Sequence, residues 1–565
     1  MNDNFEQMTE NLFLSLERYW LILVWVLFAV TVALWSVNLS AIPVSDSEAQ
    51  LAIAASKIAS REEVGNSILP IYTGLAGMLN YVFGTSDFWS RALPILFGSS
   101  LVFIPGLWKR ELGFRRVVFL SLAVSLTPVL TYYSRTITSP VFAVSTLLWL
   151  ATLVRRQRWV SAGIAFAGFL LSGSMVVPLI LLLLTGLLLS RTTRNLGQDS
   201  ERCEFNLPKN GAIQFASGAL VALLVISSSF LLNPAGISDL SSALLTFLEP
   251  LRGWQPLEIK RFVVLLFRYN LIPVIIWFIA VLKSGFFVET KRRVTKFWII
   301  IGGFCILLAV FESGFWLPFN LIAWALGTVL FSNWKIFSAI KTKYSFVLVI
   351  FGIALLIYVS MVAKTLAAAS LNQLSVALAL AAGLILFGLA HLFVGLGWSG
   401  QASKSAALIS ISFLLIFSML SANFHLVLAN PKISATQYQR QPVYSGETLK
   451  RVLKELQRMG SFKAGELMIR VDAQPVSPYL WLTREFTKLT ADSAMLNAPV
   501  VISDVPNPGL ILENDYRGMT LYDGRQIDWS KVKLGQLVAG IFDLELPTST
   551  TQTYLWIDKI NFTGN

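Results

Sequence analysis

The sequence predicts an all-α polytopic membrane bundle of about thirteen transmembrane helices, carrying a small C-terminal α/β domain outside the membrane. Three observations predict it. Of 565 residues, 55% are hydrophobic and only 14% charged, with a mean hydropathy of +0.65; soluble domains carry about 25% charged residues. Apolar runs close to the ~20 residues needed to cross hydrocarbon recur along most of the chain. The basic residues gather in short loops, each separated from the next by two apolar runs.

Those loops are Lys109 to Arg116, Arg155 to Arg158, Arg191 to Lys209, Lys283 to Lys296 and Lys335 to Lys343. Two spans per interval put all of them on one face, and basic loops mark the cytoplasmic face. Shorter, less basic turns close the intervals: TYYSRTITSP around Arg135, LLSGSM around Ser172 and FESGFW around Glu312. Three further spans follow, at about 344–363, 373–397 and 405–428. The acidic N-terminus (Asp3, Glu6, Glu10) lacks the positive region of a cleaved signal, so the first span reads as a retained helix with a cytoplasmic start. An odd number of spans then sends the C-terminal segment outside a plasma membrane.

The net charge of +13 is accounted for by these topogenic loops, so nucleic acid is set aside as a partner. Seventeen Trp and fourteen Tyr suit interfacial belts. Cys203 and Cys305 fall in a basic loop and in a span, which implies no disulfide framework. His391 and His425 lie in late apolar spans and read as packed polar residues. Without clustered His or Cys no metal site is expected.

The chain divides into a transmembrane domain, residues 1–429, with an external first loop at 43–68, and a soluble domain, 430–565. In the latter, TLKRVLKELQRMG reads as a helix with Leu449, Val452, Leu453 and Leu456 on one face, Ser445 as N-cap and Gly460 as stop. ELMIRV, APVVIS and TYLWIDKINF read as strands, with breaks at VPNPG and YDG. In the first loop, Leu51, Ala54, Ala55 and Ile58 recur at helical spacing opposite Glu48, Ser56 and Lys57, as in a helix lying on a membrane surface.

An ordered set of motifs carries a family likeness. Acidic residues Asp46 and Glu48 follow the first span. Then come Pro70 to Tyr72, the run Phe83 to Arg91 (FGTSDFWSR), Leu96 to Gly98 (LFG) and Thr127 to Arg135 (TPVLTYYSR). This order resembles the GT-C glycosyltransferases, and within them the family 39 branch of protein O-mannosyltransferases and lipid A aminoarabinose transferases. It is also similar to a prokaryotic subgroup of flippase-activity-associated glycosyltransferase-like proteins, whose later signatures are echoed by Gly253 to Gln255, Arg268 to Asn270 and Glu312 to Leu317. The chain departs from the pattern at several charged positions. Ser47 separates the acidic pair, Thr138-Ser139-Pro140 stands for Arg-His-Asp, and Gly173-Ser174 for Lys-Glu. Tyr269-Asn270 stands for Tyr-Glu, and Ser313 for Lys.

The resemblance implies a polyprenyl-phosphate sugar as donor, an acceptor (lipid, glycan or protein) approaching from outside, and no cofactor, with a divalent ion not excluded. Asp46 or Glu48 would take the acceptor proton. Arg135 and Arg91, with Lys260 and Arg261 from the fourth external loop, would hold the lipid phosphate, because guanidinium donates two hydrogen bonds to it. Glu312, Tyr133 and Trp316 would line the cavity. Each reading has a plainer rival. The acidic pair also suits a solvated loop, Arg91 and Arg135 suit snorkelling to headgroups, Glu312 suits a solvated turn, and Arg252, Lys260 and Arg261 suit a cationic loop near anionic lipid. The missing charges keep open a non-catalytic scaffold in cell-envelope glycolipid assembly, with membrane-complex partners. A transporter is disfavoured, since no duplicated half is visible.

Overall fold

The computed structural model describes residues 19–39, 42–62, 64, 67–194, 208–238, 257–284, 292–330, 343–368, 373–429, 446–459, 467–486, 498–506, 516–532, 536 and 548–558. Cys203, Arg252, the GWQ run, Ser445, Gly460, and most of the three basic loops after Arg191 lie outside the described residues.

Helices dominate. The bundle begins with α1 (Trp20–Ser36), α2 (Asp46–Ala59), α3 (Pro70–Phe83), α4 (Asp87–Ser100), α5 (Phe114–Ser125), α6 (Pro128–Ser134) and α7 (Ser139–Arg155). It continues with α8 (Trp159–Leu170), α9 (Val176–Arg194), α10 (Lys209–Ser227), α11 (Ile259–Tyr269), α12 (Leu271–Ser284) and α13 (Arg292–Ala309). It ends with α14 (Trp316–Leu330), α15 (Lys343–Ala368), α16 (Gln373–Gly397) and α17 (Gly400–Phe424). Among the described residues, four helices are long and apolar enough to cross a membrane, and up to seven spans result if each bent pair counts as one. Four shorter apolar helices accompany them.

The bends have local causes. Pro128 lacks an N–H and forces Thr127 into extended backbone (ψ 115°), so α5 and α6 meet at 56° instead of forming one straight span. The α8–α9 pair bends by 105° at Gly173, whose φ is +81°. A Cβ there would stand 2.6 Å from the Ile68 carbonyl oxygen, so glycine is required. The α11–α12 pair turns through 87° at Asn270.

Tight packing places α6, which carries the tyrosines and Arg135 of the TPVLTYYSR run. Gly98 of the LFG motif faces Ser134 Oγ, which would lie 1.8 Å from a Cβ at position 98. Gly98→Ala is therefore expected to push α6 off α4 and destabilise the chain by about 1–3 kcal/mol. A fall in thermal midpoint of the purified protein checks this, and an unchanged midpoint contradicts it.

The C-terminal domain comprises α18 (Gly446–Met459), β1 (Ile469–Val471), α19 (Val476–Thr483), β2 (Val500–Ser503), β3 (Tyr516–Ile527) and β4 (Thr548–Asp558). Its sheet order is β1-β2-β4-β3, with β1 and β2 parallel and the other pairs antiparallel. Leu449, Leu453 and Leu456 of α18 are buried against Val500, Ile502 and Leu555, as their spacing predicts. The break expected at YDG is instead absorbed within β3, where the register slips between Asp523 and Arg525. Glycine in a strand tolerates such a bulge.

The first-loop helix also differs from expectation. α2 does form, but Glu48 and Ser56 on its supposed polar face are buried along with Leu51, Ala55 and Ile58. It packs against α3 on one side and α19 of the C-terminal domain on another. That cover removes the solvated face a surface-lying helix would need.

Candidate functional site

Ser45 caps α2 from extended backbone, and its Oγ accepts from the Glu48 N–H at 3.4 Å. Glu48 Oε2 returns the contact by accepting from Ser45 N (3.2 Å) and Ser45 Oγ (3.3 Å), a reciprocal capping box. Its other oxygen accepts from Ile137 N at 2.8 Å, and Arg91 Nη2 stands 3.5 Å from Oε2. Glu48 is fully buried. Expected as a proton acceptor, it instead joins α2 to the segment after α6, both oxygens engaged. Asp46, in the first turn of α2, is half-buried and accepts from Gln50 Nε2 at 3.0 Å. Of the acidic pair, Asp46 alone keeps an exposed portion.

Arg91 and Arg135 were expected at a donor phosphate; the structure places both among backbone carbonyls. Arg91 is buried and donates to the carbonyls of Leu39 (2.6 Å), Ile42 (3.1 Å) and Pro43 (3.4 Å), gathering the first loop around its ion pair with Glu48. Arg135 is 1% exposed and donates to Leu426 O and Val37 O, both at 2.5 Å. Helix ends leave such carbonyls unsatisfied, so a guanidinium between two of them pins α6 to the ends of α1 and α17.

A second group forms around the FESGFW turn. Glu312 caps it by accepting from Gly314 N at 3.3 Å. Tyr133 donates its hydroxyl to Ser313 Oγ at 3.0 Å, and Glu312 acts electrostatically on Tyr133. Trp316 is fully buried, its ring 5.3 Å from that of Phe262 on α11. Next to Phe262, Arg261 is buried on α11, and the Tyr132 ring stands 5.1 Å from that of Tyr133. The expected Glu312, Tyr133, Trp316 and Arg261 come together here; Asp46 and Glu48 belong to the other group.

Amphipathic α11 carries this second group's charge. Arg261, Val264, Leu265, Arg268 and Tyr269 are all buried, and positions 261 and 268, two turns apart, share a face. Lys260 points elsewhere, donating to Ser530 O of the C-terminal domain at 3.1 Å. Beside it Ile527, Trp529 and Val532 cover Val264. The Ser530 hydroxyl and Lys531 hold the neighbouring Asp528 carboxyl down at about 2.

The C-terminal domain covers the same side of the bundle at a second point. Asp87, first residue of α4, accepts from Arg484 Nη2 (2.9 Å) and Trp481 Nε1 (3.0 Å) on one oxygen and from Lys450 Nζ (2.9 Å) on the other. Arg484 stacks 3.7 Å over the Trp481 ring, and Trp481 is buried in the main core of the bundle. The domain therefore sits over α2 and α11 together.

Sequence reasoning missed Asp87 at the contact with the C-terminal domain, and the buried Arg268 and Tyr132. The S-x-x-E spacing of Ser45 and Glu48 was the available signal for the cap. The residues that replace the family's charges have neutral work. Ser139 Oγ donates to Ser172 O and accepts from Met175 N (3.1 Å), Gly173 makes the turn, and Ser313 receives Tyr133. Among the described residues no three His, Cys, Asp or Glu side chains are grouped to hold a metal ion.

Bundle, first-loop helix and roofing domain together define a polytopic membrane fold. Two crystal structures of ArnT from Cupriavidus metallidurans, one bound to undecaprenyl phosphate and one apo, share it, each with a TM-score of 0.52 and 13% identity. Each alignment covers 97% of this chain and 99% of that one. No protein-family model matches the chain, and no curated protein matches it.

Proposed function

We propose that the chain is a membrane glycosyltransferase moving a sugar from a polyprenyl-phosphate donor to a hydroxyl on an external lipid, glycan or protein. The observation that carries this reading is the pair of buried arginines, Arg261 and Arg268, on the inward face of α11. It lies in a fold shared with ArnT, a protein crystallised with undecaprenyl phosphate. Guanidinium groups donate paired hydrogen bonds in a geometry that matches a phosphate. The membrane is the plasma membrane, with the N-terminus cytoplasmic and the C-terminal domain outside. The transferred group is a hexose or pentose, as in family 39 and its relatives, and no cofactor takes part.

In this scheme Asp46 accepts the proton of the acceptor hydroxyl as its oxygen attacks the anomeric carbon. A new glycosidic bond forms, and the bond from that carbon to the phosphate oxygen breaks. The polyprenyl phosphate leaves with the bonding electrons, and Arg261 and Arg268 stabilise the charge that develops on it. Glu312, Tyr133 and Trp316 line the sugar's path. Glu48, Arg91 and Arg135 hold the helices in place without touching the reacting atoms.

Asp46→Asn is expected to lower transfer of radiolabelled sugar by the purified chain by about 10²–10⁴-fold while leaving its thermal midpoint unchanged. Retained transfer places the base elsewhere. The neutral residues at Ser139, Gly173, Asn270 and Ser313 favour a second reading, a non-catalytic scaffold for glycolipid assembly. It predicts co-purifying partners and no turnover with any polyprenyl-phosphate sugar, so transfer by the purified chain alone eliminates it.

A further inference from the structure

Asn270 occupies the break where α11 turns 87° into α12. It stands where the related subgroup has glutamate, and both it and Asn320 of α14 are fully buried. Asn270 Nδ2 donates to Leu265 O at 2.8 Å, satisfying a carbonyl near the end of α11. Its Oδ1 accepts from Asn320 Nδ2 at 2.6 Å, and Asn320 Nδ2 also donates to Trp316 O at 2.6 Å. Each amide is oriented by a backbone carbonyl that only an N–H can serve, so neither can be flipped without losing a contact. Uncharged amides paired in this way tolerate apolar surroundings far better than a carboxylate does.

A sharp helix break needs an identifiable cause: Pro273 has no N–H for the Tyr269 carbonyl and cannot continue α11, and the hydrogen-bonded amide pair reaching from α11 to α14 fixes the direction of the turn. Arg268 lies two residues before Asn270, and Arg261 lies two turns earlier on one face with it. The bend therefore sets where both guanidinium groups point. We propose that Asn270 and Asn320 are positioning residues that aim α11, so that Arg261 and Arg268 meet the anionic head of a polyprenyl phosphate. This rests on the phosphate reading given above.

The test measures binding of undecaprenyl phosphate, as the probe, to the full chain in nanodiscs, together with donor KM and kcat. Asn270→Leu and Asn320→Leu are each expected to weaken binding about tenfold, since guanidinium groups that are no longer aimed lose their hold on the phosphate. Donor KM should rise and kcat should fall, because the same guanidinium groups face the charge that develops on the leaving phosphate. The double variant should be no weaker than either single one, because the pair acts as a unit. Asn320→Ser, which keeps a hydroxyl for the Trp316 carbonyl but cannot reach Asn270, should match Asn320→Leu and replaces it should the leucine variant not fold. Full affinity in the asparagine variants, alongside lost affinity in Arg261→Ala and Arg268→Ala, overturns the positioning role alone. Additive losses in the double variant overturn it as well. Full affinity in the arginine variants overturns the phosphate reading and the positioning role together.

Discussion

Arg91→Leu is expected to destabilise the chain by about 3–5 kcal/mol, the cost of leaving one partner of a buried ion pair uncompensated. Arg91 and Glu48 are both essentially inaccessible, at 3% and 1% side-chain exposure. Without the guanidinium, the buried Glu48 carboxyl still accepts from the Ser45 and Ile137 N–H groups but has no counter-ion. The carbonyls of Leu39, Ile42 and Pro43 lose their donor in the same step. Glu48→Gln should cost less, because an amide oxygen still accepts from Ile137 N, though Arg91 is then left unneutralised. Thermal unfolding of the purified variants orders them, and proteolysis near residues 39–48 should rise first in Arg91→Leu. A wild-type midpoint and proteolysis pattern for Arg91→Leu would show that the loop is organised by something else.

This prediction explains why parts of the site were legible in the sequence and others were not. Period and composition act locally, so the α18 face of Leu449, Leu453 and Leu456, the strands at Ile469–Val471 and Val500–Ser503, and the basic loops could all be read directly. What a charged residue does depends on partners far along the chain. Glu48 meets Ile137 across 89 residues, and Arg91 meets Leu39 across 52. No window in the sequence holds both ends of such a contact. The motif order correctly singled out Arg91, Arg135 and Glu48 as unusual, yet a buried charge that organises a fold leaves the same trace as one that performs chemistry. The polar face assigned to α2 failed for a related reason, since only the folded C-terminal domain reveals that Glu48 and Ser56 are covered.

The same distance problem hid Asp87, and its removal is expected to have the second large effect. Asp87→Ala should release the C-terminal domain from this end of the bundle. Arg484, whose side chain is 5% exposed, loses its nearer carboxylate partner across 397 residues of chain and keeps only the Glu485 carboxylate at 3.7 Å, while Lys450 and the Trp481 indole N–H lose acceptors. Breaking a desolvated pair costs more than breaking an exposed one, so Arg484 should dominate and Lys450→Ala should be mild. The stack of Arg484 on Trp481 survives Asp87→Ala, and so does the apolar contact of Trp529 with Val264, so the domain should loosen about that second attachment instead of detaching. A cysteine pair introduced across α2 and α19 reports this directly. Crosslinking should be fast and complete in the parent chain and markedly slower after Asp87→Ala, with Asp87→Asn intermediate because its amide oxygen still accepts from Trp481. Because the domain roofs both α2 and α11, sugar transfer should fall along the same series. If crosslinking and transfer are both unchanged in Asp87→Ala, the apolar contacts of Trp481 and Trp529 alone seat the domain.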